Sequence, residues 1–422
     1  MRKLIMVMVL FLALFCIGCS ATIVLEENTA VNKEIEKFDV TETALDISED
    51  FSAFCYVDGK VGIGRTKYNS TGKYDYISSF IDKEGNIEDS EEDFLVTSEF
   101  GSTTITSATG VTQEYDTEKQ GSLREYYYRD GIKDITIRLD GFNELTKKYR
   151  TSGRYTVESR YIENNDDYYM LLISKYDSNK ENRLVEINTD EQMMIIIDIK
   201  NEKMYSKEIN TFRENNENSD TTIVSDHNYS KDNCVYGLYY DKELESIMAI
   251  TFGNKVKKVN LSGGYIKLED YRNLGLKGYE LDNNSFDFIF DISNDNFIMR
   301  LKNPKDDSKV YAVYNSISGE INLLEEGMYV TGELGKYNLV TISYKNEAYI
   351  AQIKEDYTVE FLYKFTDLTD ENYKCIAAYT IMDYDSDEIF VIKSMYGGDS
   401  LENGFDNTKV RTDYSFIDLK VK

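Results

Sequence analysis

The chain of 422 residues contains no tryptophan, one proline and one histidine. A single histidine leaves little room for a His-rich metal site or a Ser-His-Asp triad. Positive charge is also scarce, because 48 Lys and Arg stand against 76 Asp and Glu, for a formal net charge of −28. Such an acidic body has no positive field to displace phosphate counterions, so no nucleic acid is expected as a partner.

Apolar residues are plentiful by contrast. They make up 41% of the chain, and the aromatic residues are 35 Tyr and 20 Phe. This is enough to bury a sizeable core, which argues against general disorder. The length allows two or three domains of roughly 150 residues, although all-β domains often run longer as one unit. Abundant Lys, Asn, Ile and Tyr indicate an AT-rich bacterial genome as the source.

The N-terminus has the form of an export signal. Arg2 and Lys3 give a short positive end, and residues 4–17 form an apolar run. The run is too short to span a bilayer comfortably and has the length of the hydrophobic segment of a secretory signal.

The end of this run, CIGCS at positions 16–20, resembles the lipobox of bacterial lipoproteins, in which Leu, a small residue and Gly or Ala precede a lipidated Cys. Gly18 and Cys19 match, whereas Cys16 stands in place of the usual Leu. The resemblance covers residues 1–19 only and implies lipid attachment at Cys19, with palmitate among the acyl chains. Two or more chains anchor a protein stably to a membrane. An ordinary secretory signal and an uncleaved anchor helix are the alternatives.

The resemblance divides the chain into three parts. Residues 1–18 are the expected signal peptide, residues 19–50 the lipidated N-terminus with an acidic tether, and residues 51–422 the folded body. A short helix at residues 32–38 is one option within the tether. Anionic headgroups repel so acidic a body, which is expected to stand off from the extracytoplasmic face of the cell membrane.

From about residue 51 onward, short runs of Tyr, Phe, Ile, Val and Thr alternate with Asp, Asn, Gly and Lys. These are the residues of strands and of tight turns. A recurring phrase, meaning here a sequence pattern, consists of a strand, an acidic turn and a second strand. Examples are FSAFCYV-DGK-VGIGRTKY and CVYGLYY-DKELE-SIMAITF. The seven copies of this phrase start near positions 51, 126, 167, 234, 285, 337 and 374.

We therefore predict an all-β fold, a β-propeller of about seven blades with six or eight open. Stacked four-stranded blades bury each other's faces. The C-terminal YSFIDLKVK is similar to SFIDKEGNIE near the start of the body, which fits a ring whose ends meet. The spacing is uneven and no blade signature is present, so two β-sandwich domains are the alternative. The best helix candidate is at residues 267–279.

Besides the lipidated Cys19, the expected mature body keeps three cysteines, Cys55, Cys234 and Cys375, each in an apolar, strand-like context. An odd number permits at most one bridge within the chain. We interpret all three as small core residues. One disulfide and a reactive thiol are the alternatives, and no C-x-x-C spacing supports zinc or redox chemistry.

Sequence motifs for catalysis are missing. The chain has no P-loop and no G-x-S-x-G, and Gly275 and Gly278 lack the spacing of a phosphate loop. His227 lies in the polar stretch SDHNYS and is interpreted as an exposed loop residue. We accordingly predict no catalytic residue, no cofactor and no metal site.

Acidic clusters give no specific site either. Residues 383–388 alternate acids as a calcium loop does, but Glu388 and Ser394 stand where Gly and Glu are required. We interpret this segment, and the acids within residues 282–295, as solvated turns. With 76 acids present, the sequence cannot select a carboxylate pair for glycoside cleavage.

The leading functional hypothesis is a non-enzymatic, surface-anchored module that binds a protein or glycan of the cell envelope or the extracellular space. A carbohydrate-active enzyme with a carboxylate pair on the same scaffold is the second hypothesis. The substrate-binding lipoprotein of an importer is the third, although it requires an α/β alternation that this strand-rich sequence lacks.

Overall fold

The strands of this protein are arranged like the blades of a propeller. The computed structural model describes residues 38–47, 51–68, 74–90, 93–100, 103–115, 124–152, 155–176, 189–210, 233–282, 289–293, 295–334, 339–365, 375–382, 387–396 and 410–421. Within these ranges the fold is all-β, with five blades and one larger, nearly closed sheet. The predicted fold class and the propeller-like arrangement are thus confirmed.

The first two sheets follow one another along the chain. Sheet 1 has the order β2-β3-β4-β5, and sheet 2 has the order β10-β9-β8, with the ribbon β6-β7 beside it. The strands up to this point are β1 (Phe38–Leu45), β2 (Phe51–Val57), β3 (Lys60–Tyr68), β4 (Tyr74–Ile81), β5 (Ile87–Asp89), β6 (Val96–Phe100), β7 (Thr103–Ser107), β8 (Thr109–Tyr115), β9 (Arg124–Asp130) and β10 (Ile135–Arg138).

Sheet 3 has eight strands in the order β11-β12-β13-β14-β18-β17-β16-β15. It consists of two antiparallel meanders that touch at both ends: Ser206 pairs with Tyr265 in parallel, and Glu163 forms a parallel bridge with Tyr239. These two contacts make the sheet nearly closed. Its strands are β11 (Tyr155–Ile162), β12 (Asn165–Tyr176), β13 (Thr189–Asp198), β14 (Lys203–Asn210), β15 (Val235–Asp241), β16 (Ser246–Thr251), β17 (Lys255–Ser262) and β18 (Tyr265–Asn273).

Sheet 4 comprises β19 to β23, sheet 5 has the order β24-β25-β26-β27, and sheet 6 has the order β1-β30-β29-β28. Their strands are β19 (Glu280–Leu281), β20 (Ile289–Ser293), β21 (Asn296–Lys302), β22 (Lys309–Asn315), β23 (Ile321–Leu323), β24 (Tyr329–Glu333), β25 (Leu339–Tyr344), β26 (Glu347–Ile353), β27 (Val359–Lys364), β28 (Cys375–Met382), β29 (Glu388–Tyr396) and β30 (Val410–Val421).

Sheet 6 joins the two ends of the chain. β1 pairs antiparallel with β30 along its whole length, from Phe38 opposite Val421 to Leu45 opposite Tyr414. The ends therefore meet in one sheet, as the likeness of the terminal segments predicts. β1 lies within residues 19–50, so the folded body begins by Phe38 and the proposed tether shortens to residues 19–37.

The core is divided among the gaps between successive sheets. Four clusters of buried side chains lie between pairs of sheets: sheets 6 and 1, sheets 2 and 3, sheets 4 and 5, and sheets 5 and 6. A fifth cluster fills the interior of sheet 3 and extends to sheet 4. Because a sheet between two neighbours buries both faces, β15 is buried almost throughout, whereas β18 is mostly exposed. This is the burial expected of radially stacked sheets.

The helix prediction was wrong. Residues 267–279 form most of β18 and the turn after it, and β18 pairs with β17 along its length. Much of β18 is exposed to solvent, so its apolar and polar residues do not alternate as in a half-buried strand. This mixed pattern resembles that of a helix. The described ranges contain one helix, α1 (Phe142–Ser152), which we did not predict. Phe142, Thr146 and Tyr149 are fully buried on one side of it and pack against sheet 2 and β11.

All seven predicted repeat starts fall within a few residues of the first residue of a strand, namely β2, β9, β12, β15, β20, β25 and β28. Four of these, β9, β12, β20 and β25, are second strands, because the sheets concerned begin one strand earlier. The sequence therefore locates the sheets correctly but does not identify the first strand in some of them.

Candidate functional site

Buried carboxylates are the first candidates for chemistry in so acidic a chain. Among the described residues four Asp are almost completely inaccessible: Asp130, Asp198, Asp241 and Asp282. They belong to four different strands or strand ends, and each has its own hydrogen-bond or ion-pair partners.

Three of the four stabilise hairpin turns. Asp130, Asp198 and Asp241 are each the last residue of a strand, and each carboxylate accepts a hydrogen bond from a backbone N–H three residues further on, at 2.9 to 3.0 Å. Such side-chain caps satisfy turn amides that have no strand partner. This geometry explains the acidic turn of the recurring phrase as a structural feature.

Asp130 also anchors a row of phenols. Its second oxygen accepts a hydrogen bond from Tyr161, and the Tyr161 hydroxyl accepts one from Tyr128 at 3.1 Å. Burial is the main reason why the pKa of Tyr161 and of Tyr128 is raised. Both phenols are therefore protonated at neutral pH and act as donors that hold sheet 2 against sheet 3.

Asp282 is bound by two cations. Its Oδ2 lies 2.7 Å from Arg300 Nε and 3.3 Å from Lys309 Nζ, and its side chain is 0% exposed. Arg300 is in turn linked to sheet 3, because the Tyr236 hydroxyl contacts its backbone N and O at 3.0 and 3.1 Å. For Asp282, the first acid of the segment 282–295, the interpretation as a solvated turn was therefore wrong, because this side chain is buried and paired. Residues 283–288 and 294 lie outside the described residues.

Glu388, the last residue of the predicted acidic turn at 383–388, belongs to an ion-pair cluster, whereas residues 383–386 lie outside the described residues. Glu388 accepts hydrogen bonds from Lys83 and, at 2.6 Å, from Tyr56, and Lys83 Nζ also lies 2.8 Å from Asp418. This cluster joins sheet 6 to sheet 1. No group of three His, Cys, Asp or Glu that could hold a metal ion occurs within the ranges given above.

Two of the cysteines have buried or half-buried side chains. Cys234 is 1% exposed and belongs to the core of sheet 3, while Cys55 packs so closely that a Cβ on Gly62 would lie 2.3 Å from its Sγ. Burial raises the pKa of the Cys55 thiol to about 11, which keeps it protonated and unreactive at neutral pH. Both residues fit the interpretation as core residues.

Gly278 has a φ of 90° in the turn that follows β18, which fits a turn residue. Cys375 is the first residue of β28. The predicted lipid-attachment residue Cys19 and the loop residue His227 lie outside the described residues.

A more unusual arrangement occurs between the two meanders of sheet 3. We call it the lysine groove and define it by Gln192, Lys207, Asn233, Lys257 and Asp270. Lys257 is 6% exposed, and its Nζ lies 2.8 Å from Asn233 Oδ1 and 2.9 Å from Asp270 Oδ1. The Gln192 amide is bound to Val235, through an N–H···O bond of 2.8 Å from the Val235 backbone.

Lys207 lies beside this cluster. It pairs across strands with Met194, on the same side of the sheet as Gln192, and it is half-buried. Burial is the main reason why its pKa is lowered, and the charge of Lys257 adds to the effect. Within the described part of the chain Lys207 makes no ion pair. Charged side chains are rarely taken far from water without a partner, and lysines with a perturbed pKa cluster at binding and catalytic sites.

The lysine groove was missed by sequence reasoning. The lysines lie in the ordinary strand phrases KMYSKEIN and KVKKVNL, and 50 residues separate Lys207 from Lys257. Only the packing of one meander on the other brings them together, so neither the composition nor any motif signals the site.

Comparisons with known proteins give no family. No protein-family model matches the chain, and no curated protein matches it either. Among solved structures, oligogalacturonate lyase from Vibrio parahaemolyticus has a TM-score of 0.43 at 10% identity, with 90% of this chain and 96% of that chain covered. An oligogalacturonate lyase in complex with manganese has a TM-score of 0.42 at 9% identity, with 90% and 91% covered.

A third similar structure is acylaminoacyl peptidase from Pyrococcus horikoshii, with a TM-score of 0.38, 10% identity and 81% of this chain covered. The chain spans about half of that peptidase, 49% of its length. What these proteins share with this chain is a remote likeness in the arrangement of strands.

Proposed function

We propose that this protein is a non-enzymatic binding module, held by a lipid at Cys19 on the extracytoplasmic face of a bacterial cell membrane. The proposal that the module is non-enzymatic rests on its buried carboxylates, which already serve in turns and ion pairs. These are Asp130, Asp198, Asp241 and Asp282. The lipobox-like sequence around Cys19 supports the anchor. The expected partner is a protein or glycan of the cell envelope or the extracellular space.

The tether follows from sheet 6. If Cys19 is lipidated, residues 20–37 link the acyl chains to β1, which lies at the edge of sheet 6. Among the described residues no helix is long and apolar enough to cross a membrane.

We further infer that the fold is a seven-bladed propeller. The two meanders of sheet 3 touch at single residues, as neighbouring blades can, and counting them separately gives seven units with sheets 1, 2, 4, 5 and 6. The seven repeats of the sequence support this count. A crystal structure in which β14 and β18 are outer strands of separate blades is the expected result, and a closed barrel would contradict it.

The first test concerns turnover. The full-length chain, purified in detergent, is expected to retain an envelope or extracellular partner in a pull-down from its native membrane, and to leave a panel of envelope glycans and peptides uncleaved. Mass spectrometry of the panel after incubation measures this. Cleavage of any panel member would refute the non-enzymatic proposal and favour the carbohydrate-active or peptide-cleaving alternative.

The second test concerns the anchor. Cys19→Ala removes the thiol that would carry the lipid, so the protein is expected to shift from the membrane fraction to the medium or soluble fraction, measured by immunoblotting. Cys16→Leu is the matched control, because it removes a neighbouring cysteine and puts the usual lipobox residue in its place. Equal membrane retention of both variants would contradict lipidation at Cys19.

The two alternative functions draw less support from the structure. An enzyme for glycosides needs two carboxylates in one site that are available to a substrate, and each of the described buried carboxylates is already bound in a turn or an ion pair. An importer's substrate-binding protein is expected to alternate strands and helices, whereas the described chain is all-β.

A further inference from the structure

The lysine groove carries a local positive charge in a chain whose net charge is −28. Lys255 extends the group, because its Nζ lies 2.9 Å from the second oxygen of Asp270. Asp270 is thus shared by the ammonium groups of Lys255 and Lys257, whereas Lys207 makes no ion pair with a described residue. Lys257 is almost completely out of bulk water, and Lys207 is partly so.

The three lysines differ in how they are satisfied. Lys257 and Lys255 share Asp270, and Lys257 also contacts Asn233. Lys207 has no such partner among the described residues. Its half-burial weakens solvation of the ammonium group, and the charge of Lys257 acts against it. A bound anion would remove both disadvantages at once.

The fixed side chains around Lys207 make this a built site. Lys257 is held by two short contacts, and Gln192 is fixed by its bonds to the backbone of Val235, with its Nε2 donating to the Val235 carbonyl at 3.3 Å. A positioned cation loses less entropy when it binds a ligand than a flexible surface lysine does. Lysine ammonium groups donate charge-assisted hydrogen bonds to carboxylate, sulfate and phosphate oxygens.

We propose that the lysine groove binds the oxyanion group of a small ligand or of an acidic sugar, with Lys207 and Lys257 as its cationic contacts. This inference deepens the proposed binding function and rests on it. Carboxylate, sulfate and phosphate groups all present such an oxyanion. The experiment below tests each of the three separately and so identifies which one binds.

Binding is measured by calorimetry on the full-length chain in detergent at constant ionic strength. The probes are glucuronate, sulfate and phosphate, and glucose is the neutral control. At least one oxyanion is expected to bind, and Lys207→Met is expected to weaken it about tenfold, as the loss of one charge-assisted hydrogen bond implies. Lys207→Arg is expected to retain most of the affinity.

Lys258→Met is the matched control. Lys258 follows Lys257 directly but points to the opposite face of β17, since successive strand residues alternate, and it pairs across strands with Glu269. The variant removes the same charge within one residue of the groove and is expected to bind as the unaltered chain does. Equal weakening in Lys207→Met and Lys258→Met would show general charge attraction and overturn the proposal.

A second measurement uses the unaltered chain, so it does not depend on the folding of any variant. An amine-acylating reagent near neutral pH is expected to modify Lys207 faster than Lys258, because a half-buried ammonium with a like-charged neighbour loses its proton more easily. The bound oxyanion is expected to protect Lys207 at least several-fold, read out by peptide mass spectrometry. Protection by glucose alone, or no protection by any oxyanion, would overturn the proposal.

The two proposals fail in different ways. Turnover of a bound ligand would end the non-enzymatic proposal while leaving the Lys207 result in place. Retention of an envelope partner by Lys207→Met, with unchanged oxyanion affinity, would end the groove proposal and leave the binding function standing.

Discussion

Lys393→Met is expected to lower the free energy of unfolding by about 3–5 kcal/mol, since it breaks a buried ion pair and leaves one charge unpaired. Lys393 Nζ lies 2.6 Å from Glu42 Oε1, and the side chains of both residues are 9% exposed. The Tyr363 hydroxyl donates to the other Glu42 oxygen at 2.6 Å. The pair fastens β1 to β29 and β27, so its loss loosens the strand that the N-terminal end contributes to sheet 6.

Urea denaturation followed by circular dichroism measures this change. Lys354→Met is the control, because Lys354 and Glu360 form an ion pair at 2.8 Å in which both side chains are nearly half exposed. The control is expected to cost much less stability than Lys393→Met, because solvent replaces most of what an exposed ion pair provides. In the double variant Glu42→Met with Lys393→Met, apolar side chains replace both charges, and much of the lost stability is expected to return. If Lys393→Met and Lys354→Met lowered the free energy of unfolding equally, the pair of Lys393 and Glu42 would not stabilise the pairing of the chain ends in sheet 6.

The pH dependence distinguishes charge from packing. Burial acts to raise the pKa of Glu42, but hydrogen bonds from Lys393 and Tyr363 together with the Lys393 charge outweigh it, so the pKa lies below the usual value of 4.5. The unfolded chain then binds more protons, and the stabilisation is present above pH 4.5 and is lost as the pH falls through the folded-state pKa. The difference between the unaltered chain and Lys393→Met should therefore shrink in acid. A purely steric defect would give a difference that is independent of pH.

Sheet 6 also shows how much of the fold can be predicted from the sequence. The likeness between the terminal segments predicts that the ends meet, and β30 does pair with a strand from the N-terminal end. The partner, β1, could not be identified, because FDVTETAL mixes apolar and polar residues without a clear alternation, and Val40 and Leu45 meet the core only once the sheet has closed. Its charged residue Glu42 becomes a buried contact only through Lys393, some 350 positions away in the chain.

The site residues were less predictable than the strands. Acids at the ends of strands signal turns correctly, because an Asp cap acts over three residues. Lys207 and Lys257 carry no local signal, because their proximity arises from the packing of two meanders. Periodicity and turn chemistry are encoded locally and can be read from one sequence, whereas contacts between sheets depend on the closed arrangement.

Asp282→Asn is expected to destabilise the protein by about 3–5 kcal/mol as well. The carboxylate has no exposed surface and contacts both Arg300 and Lys309, so the neutral amide leaves two cations without a counter-charge. Arg300 lies at the junction of sheets 3 and 4, where the Tyr236 hydroxyl accepts from its backbone N–H. Loss of the carboxylate should therefore weaken this junction in particular.

Asp307→Asn provides the comparison. Asp307 also forms an ion pair, at 3.1 Å with Lys302 of the same sheet, but its side chain is 80% exposed, so solvent replaces the lost contact. We expect this variant to lie within about 0.5 kcal/mol of the unaltered chain in urea denaturation. Hydrogen exchange adds the location of the change: amides of β15 and β21 should exchange faster in Asp282→Asn, while those of sheet 1 keep their protection. Equal stability of the two variants would show that Arg300 and Lys309 find sufficient solvation without Asp282, and that the sheet 3 to sheet 4 junction is held by its apolar contacts alone.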